Sequence, residues 1–310
     1  VHIHRNWTGL PTSARGTSAA LGNFDGVHLG HRSVIETAHQ ARPDAPLSVI
    51  TFEPHPRQFF APDAPGFRLM NAEARANRLA RLGVQHLFQL PFGPVLAGLT
   101  PEAFAREVLC DGLGLAHVTV GQDFCFGKGR AGDAQTLCDL GRAMGFGVTI
   151  APLVGRDGQD FSSTAIRRAL SDGRVREAET MLGHWHRIEG EVIHGEKRGR
   201  ELGWPTANMS VEGLHLPRLG VYAVLVDVLT GPDRGPYRGV ASLGVRPMFG
   251  KNHPNLEVHL FDFAGDLYGQ HISVALVEFL RDEQKFDGLQ ALIDQIQSDA
   301  DQARALLAGQ

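Results

Sequence analysis

Three cysteines, Cys110, Cys125 and Cys138, are all that 310 residues contain, at separations of 15 and 13. An odd, widely spaced set fits neither a disulfide framework nor a zinc ribbon, so they read as reduced structural thiols. Nor is there a stretch of the ~18 apolar residues that a membrane span needs, and the opening VHIHRNWTGLPTSARG lacks the apolar centre of a signal peptide. The expected location is cytoplasmic, and because the chain opens on Val1 the numbering is expected to start just inside the natural beginning. An excess of one charge is missing too: 30 Lys and Arg stand against 34 Asp and Glu, a formal net charge of -4. No broad positive field is available for a nucleic-acid backbone or an anionic membrane, so anionic ligands must be met locally. Neither internal repeats nor low-complexity runs occur. With 43% hydrophobic and 21% charged residues, disorder and collagen-like structure are excluded, and the length suggests about two domains at roughly 150 residues each.

Up to about residue 182 the pattern alternates. SAALGNF, LSVITF, HLFQLPF, HVTVG and GVTIAP are strand-like apolar runs, separated by helical stretches such as HRSVIETAHQAR, NAEARANRLARLG and AQTLCDLGRAMG. This spacing predicts a Rossmann-like α/β domain with a parallel sheet, whose ligands bind at the carboxyl ends of strands. From about residue 188 the strand candidates RIEGEVIHG, GVYAVLVDVLTG, YRGVASLGV, NLEVHLFDF and QHISVALVEFL follow one another with Gly/Pro turns and no long helix between them. A small antiparallel β-barrel is expected, covered by a terminal amphipathic helix through Leu289, Leu292, Ile293 and Ile296. Charge divides in the same way, +1 over residues 1–183 and -5 over 184–310, and the domain boundary is placed near Gly183.

After the first strand comes GNFDGVHLGHRSVIETA, where Gly22 and Gly26 allow a sharp turn and a helix is read from Arg32. A helix N-terminus favours phosphate. His28 and His31 are three apart, so a helical turn would bring both imidazoles together, where they could donate to charge developing on phosphorus. The spacing alone fits equally a pair of surface histidines or of metal ligands. FSSTAIRRAL sets Ser162, Ser163 and Thr164 before a helix carrying Arg167. By itself that is a helix cap; beside the histidine turn it is also what a triphosphate would need.

GNFDGVHLGH, TFEPHPRQFF, GQDFCFG with a downstream Gly132-Asp133, and FSSTAIRRAL occur in the order found in the adenylyltransferase module of the prokaryotic bifunctional riboflavin kinase/FAD synthetases, which this stretch resembles. His-x-Gly-His alone is shared with other nucleotidyltransferases and class I aminoacyl-tRNA synthetases; the four together are specific. The resemblance implies that Gly22, Asn23, Asp25, His28 and His31 hold the ATP phosphates and that Ser162, Ser163, Thr164 and Arg167 close on them. It implies flavin contacts from Asp123, where many members carry asparagine, from Phe124 and Phe126, which could equally be strand-end core, and from His55 and Arg57.

In the second half, GEKRGRELGWPTANMS contains Gly195, Gly199 and Gly203 at four-residue spacing, a loop whose backbone amides could approach a nucleotide. Thr206 and Asn208 flank Ala207 and on an extended segment point the same way; their oxygens suit Mg²⁺, although a turn at Pro205-Thr206 reads as well. In NLEVHLFDF, Leu256, Val258 and Leu260 share one face and leave Glu257 and His259 on the other, where a glutamate is either solvated or a general base. GEKRGRELGWPTAN, LPRLGVYAV, RPMFG, LEVHLFDFAGDLYG and LRDEQKF resemble, in order, the riboflavin kinase module of the same family. That implies Mg²⁺ on Thr206 and Asn208, Glu257 as the base, ATP contacts from Gly195, Gly199, Arg200, Gly203 and Pro205, and flavin contacts from Arg281 and Glu283. Two departures, Met248 for threonine and Ser242 for asparagine, lie outside the presumed catalytic trio. The match covers essentially residues 18–300. It implies an enzyme that phosphorylates riboflavin to FMN and adenylylates FMN to FAD, with ATP as co-substrate and small molecules as its partners. Self-association is compatible with it. A nucleic-acid-binding barrel would be basic and rich in aromatics, and a class I synthetase would need a helical anticodon-binding region; neither fits the -5 second half.

Overall fold

The structure, a computed structural model, describes residues 1–156, 159–194, 203–248 and 251–310. Its first half carries β1 (His2–His4), β2 (Ser18–Leu21), β3 (Leu47–Glu53), β4 (His86–Pro91), β5 (His117–Gly121), β6 (Cys125–Phe126), β7 (Gly132–Asp133), β8 (Gly147–Ala151), β9 (Gly155–Arg156) and β10 (Gln159–Asp160). Between them run α1 (Leu29–Ala41), α2 (Pro56–Phe60), α3 (Ala72–Arg81), α4 (Pro94–Gly98), α5 (Pro101–Ala103, continuing as a π-helix over Phe104–Gly112) and α6 (Ala134–Met144). The second half holds α7 (Ser163–Ser171), α8 (Val175–Leu182), β11 (Arg187–Glu191), β12 (Ala207–Ser210), β13 (Gly220–Val228), β14 (Gly235–Met248), β15 (Lys251–Leu260), β16 (His271–Arg281) and α9 (Leu289–Leu307).

Contacts group the chain into two compact units, Val1–Ala64 with Ala72–Ser162, and Pro65–Asn71 with Ser163–Gln310. This division differs from the contiguous one read near Gly183. Pro65–Asn71 joins the second unit because Arg68 forms a parallel bridge to Leu214, and Gly66 approaches the backbone of Gly213 and Leu214 too closely for a side chain. Asn71 Nδ2 donates to the Glu189 carbonyl at 2.8 Å. Contacts of this range leave no local mark in the sequence.

In the first unit six strands form a parallel sheet in the order β1-β4-β3-β2-β5-β8. β2 is buried at every residue, as befits a central parallel strand covered on both faces. From β2 the chain winds outward through β3 and β4, then returns to place β5 on the other side of β2. The reversal makes the carboxyl ends of β2 and β5 the switch point where such sheets bind ligands.

In the second unit six antiparallel strands run β11-β16-β13-β14-β15-β12. A bridge between Ile193 and Asn208 links the two ends, with Ile193 N–H donating to the Asn208 carbonyl at 2.9 Å, so the sheet is a nearly closed barrel. α9 covers it through its C-terminal half, in contrast to the expected seam. Ala300, Ala303 and Leu307 are buried against Val221, Ala223, Val240, Phe261 and Val277, whereas Leu289 is 59% exposed and Leu292, Ile293 and Ile296 are half-buried. Small alanines let the helix approach the strands, and the bidentate pair of Arg281 with Asp299 pins it there. Among the described residues no helix is long and apolar enough to cross a membrane.

Candidate active sites

β2 ends at Leu21, Gly22 N–H donates to the Ile50 carbonyl, and the turn that follows holds positive φ at Phe24 (52°), Gly26 (87°) and Val27 (43°). Non-glycine residues keep such angles only where their surroundings dictate them. Phe24 and Val27 are each 1% exposed, so burial of their side chains sets the turn. α1 begins at Leu29, earlier than the start read at Arg32, because His28 is itself the cap: its Nδ1 accepts the His31 backbone N–H at 3.3 Å. That bond leaves the proton of neutral His28 on Nε2. The two imidazoles stack at 3.6 Å between centroids. A Cβ at Gly30 would lie 3.1 Å from the His28 ring and 3.4 Å from the Phe161 carbonyl, so this glycine makes room for both. The chain leading into Ser162 therefore passes the first turn of α1.

Burial first, then the proximity of His28 and Arg75, hold the His31 pKa well below its ordinary 6.5, and the ring is neutral at physiological pH. Its Nδ1 is buried with no hydrogen-bond partner among the described residues, whereas buried polar atoms of native proteins are normally hydrogen-bonded. Arg75 on α3 is one residue that sequence reasoning missed. Only 1% exposed, it donates to the Asn23 carbonyl at 3.2 Å and pairs with Glu53 at the end of β3. Thr51 Oγ1 donates to the same carbonyl at 3.0 Å, so β3 and α3 together fix the turn. The one signal in the sequence is an arginine placed among the buried Ala74, Ala76 and Leu79. Asp25 is buried beside the turn.

Two more of the expected residues stand at carboxyl ends of this sheet. After β3, His55 caps α2, its Nδ1 accepting the Arg57 backbone N–H at 3.1 Å. After β5, Asp123 is exposed, with Phe124 half-buried and stacked at 5.6 Å on Phe126. Phe126 is 7% exposed and packs on Phe104 in the core, so of the two rings Phe124 is the one open to a ligand. Asp133 caps α6 through Thr136 N–H at 2.7 Å. Ser162 closes the first unit and precedes α7, while Ser163, Thr164 and Arg167 belong to the second. There Arg167 Nε donates to the Phe67 carbonyl at 2.6 Å.

In the barrel, Asn208 and Glu257 are directly opposite on β12 and β15, and Ser242 of β14 is opposite Glu257 from the other side. Opposite residues share a face, so Ser242, one of the two departures and outside the trio, is a neighbour of Glu257. Asn208 is buried; its Nδ2 donates to the Thr206 carbonyl at 3.4 Å, and its Oδ1 accepts from Asn255 at 2.8 Å. Leu256, Val258 and Leu260 are buried and Glu257 and His259 half-buried, the alternation read from the sequence. His259 Nδ1 donates to the Pro205 carbonyl at 2.8 Å and its ring meets Trp204 edge-on, fixing the segment that leads to Thr206. Burial keeps the His259 pKa below its usual value. Gly203 is in an exposed turn, and Gly195, Gly199 and Arg200 lie outside the described residues. The Arg281 guanidinium is taken by Asp299 and the Asp282 carbonyl, while a Glu283 carboxylate oxygen occupies the place of a side chain at Gly244.

A nucleotide-type turn at the switch point of a parallel sheet and a polar network on a small barrel define a chain with two nucleotide-handling modules. Residues 10–165 match the profile of the FAD synthetase family and residues 182–307 that of riboflavin kinase. The chain is 42% identical over 311 residues to the bifunctional riboflavin kinase/FMN adenylyltransferase of Pseudomonas fluorescens, covering 99% of this chain and 98% of that one. To the protein of that name from Escherichia coli (strain K12) it is 40% identical, covering 93% and 92%, and to that of Bacillus subtilis (strain 168) 38%, covering 92% and 90%. It thus belongs to the bifunctional riboflavin kinase/FMN adenylyltransferase family. The fold is shared with the crystal structure of a macrolide-efflux protein from Streptococcus pneumoniae, at a TM-score of 0.82 and 33% identity over 97% of this chain and 98% of that one.

Proposed function

We propose that this chain is a two-step transferase: the barrel unit phosphorylates riboflavin to FMN, and the α/β unit adenylylates FMN to FAD with release of pyrophosphate. ATP is consumed in both steps. The reading is carried by the presence of both family profiles, end to end, in one chain. Both steps are displacements at phosphorus, where catalysis is positioning and charge stabilisation, so no covalent nucleophile is needed.

In the first unit the FMN phosphate oxygen attacks the α-phosphorus of ATP and the bond to pyrophosphate breaks. His28, with its proton on Nε2, and neutral His31, whose buried Nδ1 has no partner among the described residues, are the donors to the charge that builds up on the phosphates. Gly22, Asn23 and Asp25 shape that turn. Asp123, Phe124, His55 and Arg57 receive the flavin end, with Phe126 acting through the ring it supports.

In the barrel, Glu257 takes the proton of the terminal ribityl hydroxyl as its oxygen attacks the γ-phosphorus and the bond to ADP breaks. Asn208 Oδ1 and the Thr206 hydroxyl are hard neutral oxygens of the kind that suit Mg²⁺, and the hydrogen-bond network already fixes the direction in which Oδ1 points. Bound there, Mg²⁺ neutralises phosphate charge. Gly195, Gly199, Arg200, Gly203 and Pro205 approach the nucleotide. Glu283 and Arg281 serve the flavin end. Such an enzyme works on small molecules in the cytoplasm. Purified protein given riboflavin, ATP and Mg²⁺ is expected to yield FMN first and FAD second, resolved by chromatography; formation of neither product refutes the reading.

A further inference from the structure

Asn255 has no role in the scheme above, yet its side chain joins the two residues on which the kinase step depends. It stands two residues before Glu257 on β15, on the same face, directly opposite Ser210 of β12 and Gly244 of β14. Its Nδ2 is 2.8 Å from Asn208 Oδ1 and 3.5 Å from Glu257 Oε1. The direction of these bonds is settled by their ends. The Thr206 carbonyl can only accept, so Asn208 turns Nδ2 toward it and Oδ1 toward Asn255. A carboxylate can likewise only accept, so the second hydrogen of the Asn255 amide belongs to Glu257. The result is one directional relay: Asn255 gives one hydrogen to each partner, and Asn208 passes the order on to Thr206.

We propose that Asn255 is a positioning residue for phosphoryl transfer: one amide holds both Asn208 Oδ1 and the Glu257 carboxylate, so that metal ligand and base stay in fixed relation. The inference rests on the roles given above to Thr206, Asn208 and Glu257. Without that amide Asn208 Oδ1 loses its donor, and the group is oriented by the longer bond from Nδ2 to the Thr206 carbonyl at 3.4 Å. Gly244 on the neighbouring strand has no side chain, and Glu283 fills that space at the rung of Asn255. Among the described residues, the position opposite Asn255 on β14 therefore supplies no side-chain donor of its own. Supporting groups of this kind typically change metal affinity or activity by about 10–100-fold.

The test uses the full chain and three variants. Asn255→Ala should lower kcat for FMN formation about 10–100-fold, with the KM for riboflavin and the rate of FMN adenylylation unchanged. Asn255→Asp has the same shape but offers only acceptors, and should be as poor as alanine. Asn255→Gln keeps the NH₂ group and should recover most of the turnover. Calorimetry with ADP, once with MgCl₂ and once with EDTA, gives a second readout: the tightening by Mg²⁺ seen in the parent should shrink in Asn255→Ala and Asn255→Asp. Should alanine prevent folding, the isosteric aspartate decides alone. Wild-type kcat together with wild-type Mg²⁺-dependent ADP binding in Asn255→Asp overturns the proposal. So does a loss of kcat that follows thermal stability and is not restored by glutamine. Glu257→Gln measured alongside separates the two levels: if it turns over normally the base assignment has failed, whereas the ADP measurement still judges Asn255 on Asn208.

Discussion

His28 and His31 stand three apart, a spacing that on a helix brings two rings into register but by itself fits surface histidines or metal ligands equally. The structure adds what spacing could not supply: one ring caps the helix that carries the other, and Gly30 makes room for it. His28→Ala and His31→Ala are each expected to slow FAD formation from FMN by roughly 10²–10³-fold, the usual effect of losing an oriented donor to a phosphoryl or acyl oxyanion. FMN formation should stay near normal, and chromatography of the two flavins checks both. Arg75 and Asn255 were not legible. Each acts through a partner that the fold supplies, a carbonyl 52 residues away for Arg75 and an amide 47 residues away for Asn255, and neither belongs to a motif of its own.

Among the elements, the parallel strands were readable because central strands buried on both faces are near-continuous apolar runs. The barrel strands showed the opposite mark, alternation, most plainly at Leu256, Val258 and Leu260. β1 escaped notice because His2–His4 is short, with one apolar residue between two histidines, and both His2 and Ile3 are exposed. The terminal helix was found, but its buried seam was misplaced. Large apolar residues at its start weigh more in a periodicity count than alanines, yet it is Ala300 and Ala303 that permit close approach. Since Arg281 and Asp299 are both largely buried, Arg281→Ala leaves a carboxylate without its partner and should destabilise the second unit by about 3–5 kcal/mol, measured by urea denaturation. His186, between α8 and β11, provides a pH test. Burial, aided by His184 and His215, lowers its pKa from 6.5 to about 3. Between those values the unfolded chain holds a proton that the native ring refuses, so stability falls as pH falls through that window, by up to about 1.4 kcal/mol per pH unit. His186→Leu should lose that part of the acid slope, compared with the parent by urea titration at pH 7 and pH 5.

At the scale of the molecule, the change from alternating strands and helices to strands alone gave two modules, and both are present. The boundary was less legible. Pro65–Asn71 lies in the first half of the chain yet packs with the second unit, and α7 and α8 follow it, because contacts around Phe67, Arg68 and Leu214 outweigh chain order. That two chemistries occupy separate units is the central claim, and one substitution divides them. Glutamine at 257 keeps the volume of glutamate but cannot take the ribityl proton, and a positioned general base is worth about 10²–10⁴-fold. The decisive measurement is flavin chromatography of Glu257→Gln, supplied with ATP and Mg²⁺ and, in parallel, with riboflavin or with FMN. The predicted result is almost no FMN from riboflavin and normal FAD from FMN. Near-normal phosphorylation of riboflavin, or loss of FAD synthesis even when FMN is supplied, would contradict it.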